Sequence, residues 1–169
     1  MTALEAWNAA PTPEAIEALL SCCGSQAWAH TLISRRPYSS IAALLADAES
    51  TWFAQPEPEW LTAFACHPRI GEQKAESAST AAFAACSTSE QAAAQASLDA
   101  SVRQALAAGN RAYEDKFGFL YIVFANGRTA PELLRVLESR LGNDRATELL
   151  EAAQQQWLIT HLRMTRWLQ

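Results

Sequence analysis

The stretch "GNRAYEDKFGFLYIVFANGRTAPE", residues 109–132, decides the fold class. Its centre, "FLYIVFA" at 119–125, is aromatic and β-branched, the composition of a strand. A strand needs a neighbour to take its backbone hydrogen bonds, and the chain offers no second candidate. Gly118 breaks the preceding helix, and "TAPE" at 129–132 is a capping box with a proline inside it, opening a helix toward Gly142. The apolar run is therefore expected as an extended or helical stretch buried between helices, and the fold class as all-α.

Helix signals continue on both sides. "TPEAIEALLSCCG" has Thr12 as a cap, Pro13 at the first helical position and a stop at Gly24. "SQAWAHTLISRRP" runs from Ser25 to a break at Pro37, and "SSIAALLADAESTWFAQP" from Ser39 or Ser40 to Pro56. "PEWLTAFACHP" must finish near His67, because a residue before proline is pushed out of the α region. Residues 77–108 are nearly all Ala, Ser and Gln without a glycine, which predicts one or two helices. There "STSE" reads as a capping box, with Ser87 the cap and Glu90 its partner. The last helix is expected from near Asn143 to Leu168. Leu150, Ala153, Trp157, His161, Met164 and Leu168 mark its core face at spacings of three and four. With no internal repeat or boundary, residues 1–169 are expected to form one compact helical-bundle domain.

Composition narrows the function classes. Half of the 169 residues are apolar and six are Trp, which argues against disorder. A net charge of −5 and a pI near 5.2 argue against a nucleic-acid partner. The first fifteen residues carry two glutamates and no basic stretch, unlike a secretory leader, and the final "WLQ" is not a peroxisomal tripeptide. "GFLYIVFA" is too short to span a bilayer, so no membrane partner is expected. Cys22, Cys23, Cys66 and Cys86 form no CxxC pair and read as buried or free thiols in a reducing compartment. A cytoplasmic location follows. The sequence leaves the oligomeric state open, with a homodimer the assembly carried forward.

No HxxxH, HxxE or Cys/His cluster is present, nor a GxSxG, Gly-rich phosphate loop or dinucleotide fingerprint. The residue types suit general acid–base work with no metal and no cofactor. In "AFACHPRIG", His67 stands between an apolar run and Pro68. It either closes a helix end or serves as a reactive group. Glu90 and Gln91 either cap a helix or present an acceptor and an amide to a polar ligand. Arg163, in "HLRMTRWLQ", is either solvated or a clamp on a carboxylate. His30 and His161 fall inside helical patterns and read as structural.

Taken in order, five segments resemble the 2-oxo-4-hydroxy-4-carboxy-5-ureidoimidazoline (OHCU) decarboxylase family of urate breakdown. They are "CCGSQAWAHTLISRRPY", "AFACHPRIG", "STSEQAAA", "NRAYEDKFGFLYIVFANG" and "ITHLRM", and together they cover nearly the whole length. The chain departs from the family pattern at Arg69, often Asp there, at Asn126, and in "AAAQASL" after Gln91. The resemblance implies that His67, followed by Pro68, is the catalytic histidine and that Glu90 is catalytic beside it. It places the family's Glu and Gln on Glu90 and Gln91, in a substrate segment of Ser87, Thr88, Ser89, Glu90 and Gln91. A second binding segment falls on Ile122, Val123, Phe124, Ala125 and Asn126, and a late arginine on Arg163.

The implied reaction converts OHCU to (S)-allantoin and CO2. The substrate bears a hydroxyl and a carboxylate on one ring carbon beside a carbon–nitrogen double bond, so it is its own electron sink. The enzyme has to align the breaking bond with that π system and deliver a proton to one face. His67 suits the proton transfer, Glu90 and Gln91 the ureido arm, and backbone N–H groups of 122–126 the ring oxygens. The alternatives are a lyase or hydrolase for a related ureido compound, and a helical ligand-binding module without catalysis.

Overall fold

The computed structural model describes residues 1–72 and 77–169, and every regular element among them is a helix. In chain order these are α1 (Ala3–Ala9), α2 (Thr12–Cys22), α3 (Gln26–Ser34), α4 (Ile41–Phe53), α5 (Glu57–Ala65), α6 (Ala81–Glu90), α7 (Ala92–Ala96), α8 (Ala100–Phe117), α9 (Ala130–Arg140) and α10 (Arg145–Leu168). The all-α expectation holds.

Local chemistry sets most of the boundaries. The side chains of Ser25, Ser40, Thr80, Asp99 and Asp144 each accept from the backbone N–H three residues on, at 2.8–3.1 Å. Gly118 ends α8 at φ +80°, a left-handed conformation that side-chain-bearing residues avoid. Two expected caps are corrected. Pro11, not Thr12, holds the cap of α2, and Pro13 is its second residue. Ser87 lies in the last turn of α6, because the alanine-rich run from Thr80 carries the helix through it. The described part of residues 77–108 accordingly holds two whole helices and the start of a third, not one or two.

The long helix α10 packs against α1, α2, α4 and α8, and α8 packs against α9. One apolar cluster runs from Leu4 to Leu168. Buried indoles lock helices together through their N–H groups: Trp28 donates to the Ala48 carbonyl and Trp52 to that of Ala153, both at 2.9 Å. Leaving such a buried donor unpaired costs about 1–3 kcal/mol, so these bonds fix helix register as well as burying rings. The core face of α10 differs from the expected stripe. Leu150 is 61% exposed and His161 is exposed, whereas Gln156, Thr160 and Arg163 are buried. Polar residues turn inward there because they meet buried polar partners, Gln156 at His67 and Arg163 at Glu90.

Residues 119–125 form neither a helix nor a strand. Side chains take the place of a neighbouring strand. The Ile122 carbonyl accepts from Arg140 Nη1 at 2.7 Å, and the Phe124 N–H donates to Gln155 Oε1 at 2.8 Å. Arg140 is itself buried and donates through Nε to Glu148 at 2.7 Å, and the Tyr113 hydroxyl donates to the same carboxylate. This buried ionic network was not legible in the sequence.

Candidate active site

His67 sits where α5 runs out. Cys66 caps the helix, and the His67 N–H still reaches the Phe64 carbonyl at 3.1 Å. Pro68 forbids a further turn. The ring is 8% exposed and meets Phe83 edge to face, with centroids 4.9 Å apart. Its Nε2 lies 2.7 Å from Gln156 Oε1. Burial, and secondarily the Arg163 guanidinium, push its pKa down to about 3, against an upward pull from the Gln156 bond. His67 is therefore a neutral imidazole at neutral pH, with the lone pair of a base.

The second group joins α6 to α10. Arg163 grips Glu90 through two parallel bonds, Nε to Oε1 and Nη2 to Oε2, each 2.8 Å. Nη2 also donates to Ser87 Oγ at 3.0 Å, and the guanidinium carbon stands 4.2 Å from the Phe83 ring centroid. Phe83 thus touches both His67 and Arg163. Arg163 Nη1 is buried and has no partner among the described residues. A buried cationic N–H without an acceptor is costly.

Two further walls close the space. The Gly71 N–H donates to Gln91 Oε1 at 3.3 Å, and Asn110 Nδ2 donates to the Ile70 carbonyl at 3.0 Å, tying down the turn after Pro68. Opposite stands the extended segment, where the N–H groups of Ile122, Val123 and Ala125 make no hydrogen bond among the described residues. The cavity is lined by His67, Pro68, Ile70, Ser87, Glu90, Gln91, Tyr121, Ile122, Val123, Ala125 and Ile159, and holds about 20 Å³. That is room for one water-sized body. A ring-sized ligand therefore displaces side chains as it binds. A larger recess of about 400 Å³ lies against His67 as well, lined by Leu61, Phe64, Arg69, Ser77, Glu114 and Phe119 among others. There Arg69 pairs with Glu114 at 2.7 Å, so its main charges answer each other. The smaller cavity is the one that gathers the reactive groups.

Of the residues singled out in the sequence, His67, Pro68, Ser87, Glu90, Gln91, Ile122, Val123 and Ala125 meet at this cavity, with Arg163 bound to Glu90 beside it. Thr88 and Ser89 do not. They are exposed on the far side of α6, where Thr88 Oγ1 donates to the Ala84 carbonyl at 3.1 Å. A helix that turns 87, 90 and 91 inward must turn 88 and 89 out. The Phe124 side chain packs on the core, and Asn126 accepts from Arg166 near the surface at 3.2 Å. Among the described residues no three His, Cys, Asp or Glu side chains converge as a metal-binding group. Gln156 and Thr160 were missed. Their spacing to Arg163, four residues and then three, was a readable polar stripe inside an apolar helix.

Comparison with known proteins identifies the family. The family profile for OHCU decarboxylase matches residues 8–165. The uric acid degradation bifunctional protein TTL of Arabidopsis thaliana is 41% identical over 146 residues, covering 86% of this chain. The chain spans 44% of that relative's length. A crystal structure of OHCU decarboxylase in the presence of (S)-allantoin superposes with a TM-score of 0.73 at 38% identity, covering 86% of this chain and 92% of the other. A crystal structure of (S)-allantoin synthase shares the fold, with a TM-score of 0.73 at 18% identity, over 98% of this chain and 54% of the other. The chain belongs to the OHCU decarboxylase family.

Proposed function

We propose that this protein decarboxylates OHCU to (S)-allantoin and CO2, with His67 moving the proton and Arg163, Glu90, Gln91 and the 122–125 backbone holding the substrate. The observation that carries the reading is the meeting, across one Phe83 ring, of a neutral buried imidazole and a buried arginine with an unused N–H. Arg163 Nη1 supplies a charge-assisted bond to a substrate oxygen. The free N–H groups of the extended segment suit the ring carbonyls, and Gln91 the ureido arm.

As the carbon–carboxylate bond breaks, its electron pair forms a double bond to the neighbouring ring carbon. The carbon–nitrogen π pair moves onto nitrogen, which takes up a proton from solvent, and CO2 leaves. The resulting enol loses its hydroxyl proton, and the carbon bearing the ureido arm gains a proton on one face. A neutral His67 begins as the base for the hydroxyl and then returns the proton to carbon. Glu90, with both oxygens bound to Arg163, acts by aiming that guanidinium. We also read the protein as one domain, cytoplasmic and homodimeric. Leu150 and Leu158 are exposed apolar side chains on α10 that such an assembly would cover. No helix among the described residues is long and apolar enough to cross a membrane.

The test is to supply freshly generated OHCU and follow CO2 and optical rotation. The wild type should give (S)-allantoin in excess over the other hand, and His67→Asn should slow the reaction about 10²- to 10⁴-fold. A folded His67→Asn protein that makes optically active allantoin within a few-fold of the wild-type rate overturns the assignment.

A further inference from the structure

Gln156 is a wholly buried amide on α10, contributing to no apolar stripe and to no charge pair. Its two ends are both used. Oε1 lies 2.7 Å from His67 Nε2, and Nε2 donates to Thr160 Oγ1 at 3.1 Å, one helical turn on. The Thr160 hydroxyl is buried in turn. The chain of donors therefore has a direction. Thr160 Oγ1 accepts from the Gln156 amide N–H, which leaves the amide's carbonyl oxygen facing His67. A carbonyl only accepts, and it requires a proton on Nε2.

We propose that Gln156 is a positioning residue that holds His67 as the Nε2–H tautomer, leaving the Nδ1 lone pair as the base that meets the substrate. The inference rests on the reading of His67 as the proton carrier and adds which nitrogen does the work. His67 Nδ1 makes no hydrogen bond among the described residues and is not among the fully buried unpartnered atoms. The partner on one ring nitrogen sets the protonation of the other, and a neutral base needs its lone pair on the reacting side. The bond also fixes the ring's rotation, because Phe83 constrains only its edge. Gln156 and its neighbour Gln155 thus divide two tasks on one helix, holding the imidazole and holding the extended wall at Phe124.

The experiment is nitrogen-15 NMR of the histidine rings in the ligand-free wild type, Gln156→Leu, Gln156→Glu and Thr160→Val, with kinetics on OHCU in parallel. The wild type should show His67 as a single Nε2–H tautomer at neutral pH. Gln156→Leu keeps the shape and removes the acceptor. It should give mixed tautomers and lower kcat about 10- to 100-fold, the scale for losing an orienting partner, with little change in KM. Gln156→Glu restores an acceptor at the same place and should restore the Nε2–H signature. Thr160→Val leaves the acceptor but frees the amide, and should give an intermediate loss. An Nδ1–H tautomer in the wild type, or wild-type kcat with a single Nε2–H tautomer in folded Gln156→Leu, overturns the inference whatever His67→Asn shows. Retained activity in His67→Asn overturns the functional reading instead, and leaves the tautomer spectra as they stand.

Discussion

Arg163 and Glu90 face each other across α10 and α6 in a two-pronged pair with 1% and 8% of their side chains exposed. A pair this deep is a poor source of net stability, because desolvating two charges offsets most of their attraction. It is a good way to aim a guanidinium. With Nε and Nη2 committed to Glu90, Nη1 is fixed in direction before any ligand arrives, and orientation achieved in advance does not have to be bought from binding energy.

Glu90→Gln should therefore hurt both function and stability. A capping glutamate would cost roughly 1 kcal/mol or less on replacement. Stripping the charge from a buried partner leaves Arg163 uncompensated, at a cost on the order of 3 kcal/mol. Urea unfolding of the variant checks the second figure, and turnover should fall by about 10²-fold or more. A small stability change with near-normal kinetics would return Glu90 to the role of a helix-end residue.

Acid should destabilise the fold through His67. Its folded pKa of about 3 lies below the usual value of 6.5, so between those limits the unfolded chain binds a proton that the folded chain does not. Stability accordingly rises with pH across that window and is lost as pH falls from about 6.5 toward 3, by on the order of a few kcal/mol. Urea midpoints measured from pH 7 down to pH 4 should fall less steeply in His67→Asn than in the wild type. Parallel slopes would mean that His67 titrates alike in the folded and unfolded chains.

The thiols should divide by burial. Burial pushes Cys22 and Cys23 up to about 12 and raises Cys66 as well, while Cys86 is the one cysteine that is not buried. The thiolate is the reactive form. A disulfide-exchange reagent at pH 8 should modify one thiol quickly in the native protein and all four after denaturation. Rapid reaction of two or more native thiols would contradict the packing around α2 and α5.

Gly24 is required by contact. A Cβ there would stand 2.4 Å from Cys66 Sγ, so Gly24→Ala forces α5 away from the α2–α3 turn. The expected loss is about 1–3 kcal/mol. Cys66→Ala removes the sulfur, and in the double variant it should recover part of that loss. Strict additivity in thermal unfolding would show that the two residues do not touch.

Exhaustive chelation should leave turnover unchanged, since the substrate carries its own electron sink and no metal-ligand cluster is written in the sequence. Loss of activity with EDTA, restored by a divalent ion, would count against the proposed chemistry.

What the sequence by itself determined was local. Ser25, Ser40 and Gly118 acted through the backbone within a few residues, so their helix limits could be read directly. Pro68 placed His67 at a helix end for the same reason. The absence of a partner strand was enough to deny "FLYIVFA" a sheet. The "STSE" box misled because the same four residues can start a helix or sit in its last turn, and the alanines before them settle which. Only the tertiary structure decided what satisfied the extended run. Arg140 of α9 and Gln155 of α10 reach it from 18 and 31 residues beyond the groups they bind. Only the fold could turn Leu150 outward and Gln156 inward, because burial on α10 depends on which neighbour covers each face and not on the polarity of the residue alone. The partner of His67 lies 89 residues away, so the proton's place on the ring is a property of packing and had no signature next to the histidine.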